Sequence, residues 1–336
     1  MTRPARRLHH DVPTLSVLDL ATIGKGQTAR EAFDGSVRLA QAAEALGYHR
    51  VWYAEHHNIP SIASSATSVL IAHVAAHTST IRLGAGGIML PNHSPLVIAE
   101  QFGTLASLHP GRIDLGLGRA PGSDQITMRA LRRDPNAADT FPQDVLELQG
   151  YFSGQSRMAG VQAIPGKGVD VPLYILGSSL FGAQLAAILG LPYAFASHFA
   201  PAALQEAVAA YREGFQPSAQ LDEPHVIAGV NVLAADTTEQ ARAELDKVLR
   251  TRVALFLARG RECTDEEIDL LVRSAQGRQV AEMMQYTAVG TPAEVHEYLD
   301  GFAEHAGADE LIVVAAAPTI EGKLRTLDLV AGSVRA

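Results

Sequence analysis

Glu55, His56 and His57 stand in a row, and a carboxylate beside two imidazoles is a group that can move protons near neutral pH. His198 offers a third imidazole far along the chain. Arg119 lies between Gly118 and Ala120-Pro121-Gly122, a setting that suggests a fixed turn aiming the guanidinium at an anion. Gly177, Ser178 and Ser179 precede an apolar helical run. Serines there are helix caps in the first instance, but the same geometry leaves free N–H groups for a phosphate. Gly86 and Gly87 either relieve crowding or let a flat ring lie against backbone. Together these residues describe a planar, phosphorylated ligand with imidazoles near its reacting edge.

Such residues converge only if the elements beneath them place their ends together. Short apolar or β-branched runs cover residues 15–23, 50–56, 81–90, 112–118, 172–178, 192–199, 226–235 and 310–316. Helical segments alternate with them. Gly47 marks one helix end, and Ser64 and Ser65 are candidate caps. Ser94-Pro95, Thr264 with Glu267, and Thr291-Pro292 with Glu294 signal other helix starts. Eight strand-then-helix units predict a closed (β/α)₈ TIM barrel, an α/β fold, rather than an open doubly wound sheet. The 336 residues exceed the roughly 250 of a plain barrel, so insertions are expected after strands 4 and 7. The first is the polar stretch 120–136, and the second a long helical section, 237–284, suited to a lid over the catalytic face. Residues 1–13 read as a flexible lead-in to one domain spanning the chain. Every candidate site residue above falls at the carboxyl end of a strand, where barrel enzymes keep their chemistry.

Several function classes fall away. A net charge of −9 argues against nucleic acid and anionic membrane surfaces. The only cysteine, Cys263, permits no internal disulfide and no Cys-based metal site, and suits a cytoplasmic protein. No apolar run reaches the ~20 residues that span a bilayer. Neither GAGGIM at Gly84 nor GLGRAP at Gly116 completes a dinucleotide fingerprint, since the last glycine is missing. The segment 160–168 has one residue too many for a phosphate loop, and Gly168 stands where Ser or Thr belongs.

The segments AEHHN (54–58), GAGGIMLPNHSPLVIAEQ (84–101), HPGRIDLGLGRAPG (109–122) and ILGSS (175–179) resemble the bacterial luciferase-like flavin monooxygenases, in order and spacing, over nearly the whole chain. The resemblance implies a barrel that usually dimerises and uses reduced FMN with O₂, or the deazaflavin F420 instead. It implies a small-molecule substrate and a separate flavin reductase. By the same resemblance His56 is the candidate base near the flavin edge, flanked by Glu55 and His57. Gly86-Gly87 is a small pair joined by a non-proline cis peptide, Arg119 a phosphate ligand, and Ser178 and Ser179 the phosphate loop. Gly118 replaces the reactive cysteine of true luciferases, Gly177 replaces their glutamate, and Trp52 is the only tryptophan. Light emission is therefore not implied.

Three rivals stand beside a monooxygenase. One is an F420-dependent dehydrogenase on the same fold, and another a flavin-binding protein without turnover. The third is a metal-dependent hydrolase drawing on Glu55, His56, His57, His198 and His225. Against the last, adjacent residues of a strand point to opposite faces, so His56 and His57 do not readily share a metal. No metal is expected.

Overall fold

The computed structural model describes residues 13–120, 124–134, 136–258 and 261–332. Most of the expected lead-in, and the Pro121-Gly122 part of the expected turn, lie outside these residues. The chain opens with β1 (Thr14–Asp19), α1 (Ala29–Leu46), β2 (Arg50–Tyr53), α2 (Thr67–Ala75), β3 (Arg82–Met89) and α3 (Pro95–Leu108). Next come β4 (Ile113–Gly118), α4 (Gln125–Ala130), α5 (Phe141–Ser153), β5 (Leu173–Gly177), α6 (Leu180–Leu189) and β6 (Tyr193–Phe195). Then follow α7 (Leu204–Gly214), β7 (Val226–Ala234), α8 (Thr238–Val253), α9 (Asp265–Arg273) and α10 (Ala275–Glu282). The chain continues through β8 (Thr287–Gly290), α11 (Pro292–Ala306), β9 (Glu310–Ala315) and α12 (Ile320–Gly332).

β1 pairs with both β2 and β9, β6 pairs with β5 and β7, and β7 pairs with β9, all parallel. Eight strands therefore close into the expected barrel with helices outside it. The ninth, β8, stands outside the ring and pairs only with the upper part of β7, Asn231 to Ala234. The sequence reading missed it, because four residues, TAVG, carry too little alternation to stand out after a helix. The expected single helical section is three helices, with a π turn at Ala254–Ala258 following α8.

Local signals explain most boundaries. Thr28 and Glu31 form a reciprocal capping box on α1, and Gly47 ends that helix at φ 82°, where a side chain would be strained. The boxes at Thr264 and Thr291 form as expected. Ser64 and Ser65 do not cap α2. Ala66 holds that position, and the Ser64 hydroxyl donates to the Ala54 carbonyl, tying the loop to the end of β2. Ser94 takes the cap position of α3 without a side-chain hydrogen bond, and Pro95 is its first residue.

Period-two alternation divides the apolar residues into two cores. Outward residues of the strands pack under the helices in one large annular cluster. Inward residues form a smaller plug of Leu18, Trp52, Ala54, Tyr174, Ala194, Ile227 and Ile312. Below that plug the same inward positions become charged. Arg50, 4% exposed, donates Nε to Glu310 at 2.9 Å and Nη1 to Asp114 at 2.7 Å. The Tyr174 hydroxyl accepts from Arg50 at 2.7 Å, and the Ser16 hydroxyl donates to Glu310 at 2.5 Å. Arg82 and the Trp52 indole N–H also donate to Asp114. Strands β1 to β5 and β9 thus meet in one closed polar network at the base.

Candidate active site

At the opposite end, the inward register continues past the plug into a cup. Leu20, His56, Gly86, Leu176, Ser178, His198, Val314 and Ala316 are all half-buried, in contrast to the sealed residues beneath them. β2 stops at Tyr53 and β6 at Phe195, so His56 and His198 belong to the loops just beyond their strands. Both had been expected within strands.

The three residues of the Glu-His-His row separate. Glu55 is fully buried, and its carboxylate accepts from His57 Nε2 at 2.8 Å and His93 Nε2 at 2.9 Å. It also accepts from the Met89 N–H at 3.0 Å and the Asn92 amide at 3.3 Å. Burial alone would raise its pKa, but the hydrogen bonds from His57, His93 and Met89, with the charge of His93, hold it down to about 2. The bond to Glu55 raises the pKa of His57 against the smaller opposing effect of burial. Glu55 has no face left for a substrate; it anchors the loops after β2 and β3. His93 was absent from the sequence-based site, although it lies only four residues past β3 in the NHSP segment.

His56 and His198 sit near one another. Burial lowers the His198 pKa to about 3, with Arg252 and His56 adding to the effect, so its ring stays neutral. Its Nδ1 is enclosed and has no hydrogen-bond partner among the described residues. A Cβ on Gly229 would collide with that nitrogen, so glycine there admits the ring. The Asn231 amide donates to the His198 carbonyl at 2.6 Å, and the Ser197 hydroxyl donates to Gly229 O at 2.6 Å. These bonds fix the loop after β6 against β7.

The anion-binding candidates also converge. Gly118 of β4 pairs with Leu176 of β5, which brings Arg119 beside Gly177. The Arg119 guanidinium carbon lies 4.2 Å from the ring centroid of Phe181, in the first turn of α6. Ser179 occupies the cap position of that helix, yet its side chain makes no cap hydrogen bond, and no acidic residue lies in the first turn. The Tyr193 hydroxyl donates to Ser179 O at 3.1 Å and holds the loop in place. An uncapped helix start beneath an arginine is a fitting place for a phosphate.

Gly86 and Gly87 are joined by a cis peptide bond, as the resemblance implied. Crowding accounts for both glycines as well. A Cβ on Gly86 would sit 2.8 Å from Leu18 Cδ1, and one on Gly87 would sit 2.7 Å from the Gly116 carbonyl. Trp52 lies under Gly86, inside the apolar plug. Among the described residues, no group of three or more His, Cys, Asp or Glu is arranged to hold a metal ion.

The sequence pattern of the luciferase-like monooxygenases matches residues 14–310. The chain belongs to that family. It is 49% identical over 301 residues to a luciferase-like monooxygenase of Escherichia coli K12, covering 89% of this chain and 90% of the relative. It is 38% identical over 255 residues to the N-acetyl-S-alkylcysteine monooxygenase of Bacillus subtilis, covering 74% and 75%. The solved structure of apo-MsnO8 superposes with a TM-score of 0.85 at 34% identity, covering 97% of this chain and 99% of that one. Family membership makes the chain an oxidoreductase of monooxygenase type. Among the described residues, no helix is long and apolar enough to cross a membrane.

Proposed function

We propose that this family member uses reduced FMN and O₂ to oxygenate a small organic substrate, with electrons delivered by a separate flavin reductase to a homodimer. The observation that carries the reading is the meeting of Arg119, Phe181 and the uncapped start of α6 on the same rim as His56 and His198. The residues present fit FMN. Arg119, Ser178 and Ser179 would hold its phosphate, and the orphaned Nδ1 of His198 shows polar capacity left over in the cup. When bound, reduced flavin supplies the electrons for oxygen activation, while the protein supplies position and dryness.

The residues divide the remaining work. His56, inward and half-buried, is the group to take or return a proton at its ring nitrogen. His198 stays neutral and presents an uncharged imidazole. Glu55 and His57 act as positioning residues for the loop that carries His56. The segment α8 to α10 shields the cup from water.

The test has two parts. Titration with reduced FMN and with F420, followed by absorbance, should show tighter binding of FMN; preference for F420 would move the chain to hydride transfer. The His56→Ala variant should lose at least ~100-fold in substrate-dependent oxygen consumption, the scale of a lost general base, while keeping FMN affinity. Equal loss of both would remove His56 from the chemistry. Uncoupled or absent oxygen consumption with every substrate offered would leave a flavin carrier.

A further inference from the structure

Gly229 stands on β7 between Ile227 and Asn231. Ile227 belongs to the inner plug, and alternation gives Gly229 the same inward register. The loop after β6 is fastened at this point. The Ser197 hydroxyl donates to Gly229 O, and the Asn231 amide donates to the His198 carbonyl. The His198 ring therefore lies on the inner surface of β7, in the space a side chain at Gly229 would take.

The way the ring lies decides its chemistry. A Cβ at Gly229 would collide with Nδ1 while standing 3.2 Å from Cγ and 3.3 Å from Cε1. Those two carbons flank Nδ1. Near-equal distances to both, each longer than that to the nitrogen, put the Cβ on the outward, in-plane axis of Nδ1. A point above the ring face would be almost as near to the carbons as to the nitrogen. Glycine carries a hydrogen in the Cβ direction, and that hydrogen faces the place where an Nδ1 proton would project. A lone pair fits there, and a second hydrogen does not. Turning the ring over would bring the Cδ2 hydrogen to the same place, so it meets the same obstacle. The enclosure of Nδ1 without a hydrogen-bond partner agrees, since an N–H buried there would go unmatched. The neutral ring then carries its proton on Nε2. Nε2 is on the far side of the ring from Gly229, so its N–H points away from β7 into the cup. The polar capacity left over at His198 is spent there. A second proton would have to enter at Nδ1. Burial opposes it as well, and so do the positive charges of Arg252 and His56.

We infer that Gly229 is a positioning residue, which holds His198 in the Nε2–H tautomer as a fixed, uncharged donor to a carbonyl oxygen in the cup and withholds it from proton transfer. An uncharged donor suits an uncharged acceptor here, because the plug below is apolar and Leu20, Leu176 and Val314 pack against it. Proton transfer is left to His56. The tautomer stands apart from the flavin reading. Only the acceptor rests on that reading, since a flavin ring and a small organic substrate can each bring a carbonyl.

The experiment is long-range ¹H–¹⁵N correlation of ring nitrogens in protein labelled with ¹⁵N-histidine, with His198→Asn identifying the signals. In the free protein, Nδ1 of His198 should resonate as an unprotonated nitrogen and Nε2 as a protonated one, unchanged from pH 8 to pH 5. An Nδ1–H tautomer, or uptake of a proton near the ordinary value of 6.5, would overturn the proposal. Gly229→Ala should displace the ring and give mixed tautomers or titration in that range. A Gly229→Ala spectrum identical to wild type would overturn the positioning role. If that variant does not fold, the wild-type spectra decide alone, because Nδ1–H cannot coexist with the Gly229 contact. Oxidised FMN is then added until its absorbance shows saturation, followed by 2-octanone. A shift of the Nε2 resonance with FMN assigns the acceptor to the flavin, and a shift only with the ketone assigns it to the substrate. No shift with either would remove the donor role. FMN that fails to bind while the tautomer stands would sink the flavin reading and leave the assignment of Gly229 intact.

Discussion

Arg50 and His198 both hold polar nitrogens out of water, one at the base of the barrel and one at its mouth. At the base, Arg50 meets Glu310, Asp114 and Tyr174, and every charged group there has its partner within the network. At the mouth, the His198 Nδ1 has no hydrogen-bond partner among the described residues. Arg50 stands on a strand, and His198 on the loop just beyond one. What differs is whether the protein itself completes the polar set, and the incomplete end is where a ligand belongs. A fully paired buried network is a feature of structure; an incomplete one beside an open cup is a feature of binding.

The largest effect should come from breaking the complete end. Arg50→Met leaves Glu310 and Asp114 buried without their main counter-charge and should cost about 3–5 kcal/mol in urea unfolding. A loss below about 1 kcal/mol would mean that the base network is not what closes the barrel. At the mouth, Arg119→Ala should weaken FMN binding by roughly ten-fold or more. Its urea midpoint should stay put, because the side chain is exposed. An unchanged FMN titration would take Arg119 out of the phosphate site. Glu55→Gln should destabilise the protein by about 2 kcal/mol, since it removes the charge that His57 and His93 share. Wild-type stability in that variant would show the two imidazoles to be independently fixed.

A further effect is one of pH. His198 titrates from an ordinary value of 6.5 down to about 3 in the fold. The unfolded chain therefore takes up a proton below pH 6.5 that the folded chain refuses, and stability falls as pH drops from 6.5 toward 3. Glu55, lowered from 4.5 to about 2, adds a further loss between those two values. His57 acts in the opposite sense: its raised pKa gives stability that is complete below 6.5 and fades as pH climbs through the folded value. Unfolding midpoints at pH 7, 5.5 and 4.5 should converge for wild type and His198→Asn at the acid end, with the variant showing the shallower slope. Parallel slopes would show that His198 takes up its proton in the native state as readily as in the unfolded chain.

The barrel was legible because eight parallel strands leave eight runs of apolar residues, and caps such as Thr264 with Glu267 mark helix starts locally. The position of Arg119 and the serines on the rim was legible for a similar reason: each sits within one residue or two of a strand end. Side-chain direction was less so. Glu55 and His56 are adjacent in sequence, yet one is sealed between two loops and the other lines the cup, and only the register of β2 decides which. Contacts between elements gave no signal at all: the pairing of Arg250 with Asp265 and Asp269 joins two helices of the insertion.

β8 gives the inserted helices a particular geometry. The excursion through α8 to α10 departs after Ala234, the last residue of β7, and returns at Thr287, the first of β8, which pairs with Asn231 of β7, so it leaves and re-enters along neighbouring parallel strands roughly 4.8 Å apart. Its return is fastened directly to the ring, because Asn231 and Val232 of β7 pair both with β8 and with β9. The region is a detachable lobe with a fixed footing. Its length and composition can drift among relatives with little strain passed to the barrel, since lengthening a loop whose ends stay clamped adds only a slowly growing entropic cost. Diversification of what these proteins accept can then proceed in the lobe while the barrel walls stay unchanged, and a graft of residues 235–286 between two family members is expected to carry substrate choice with it.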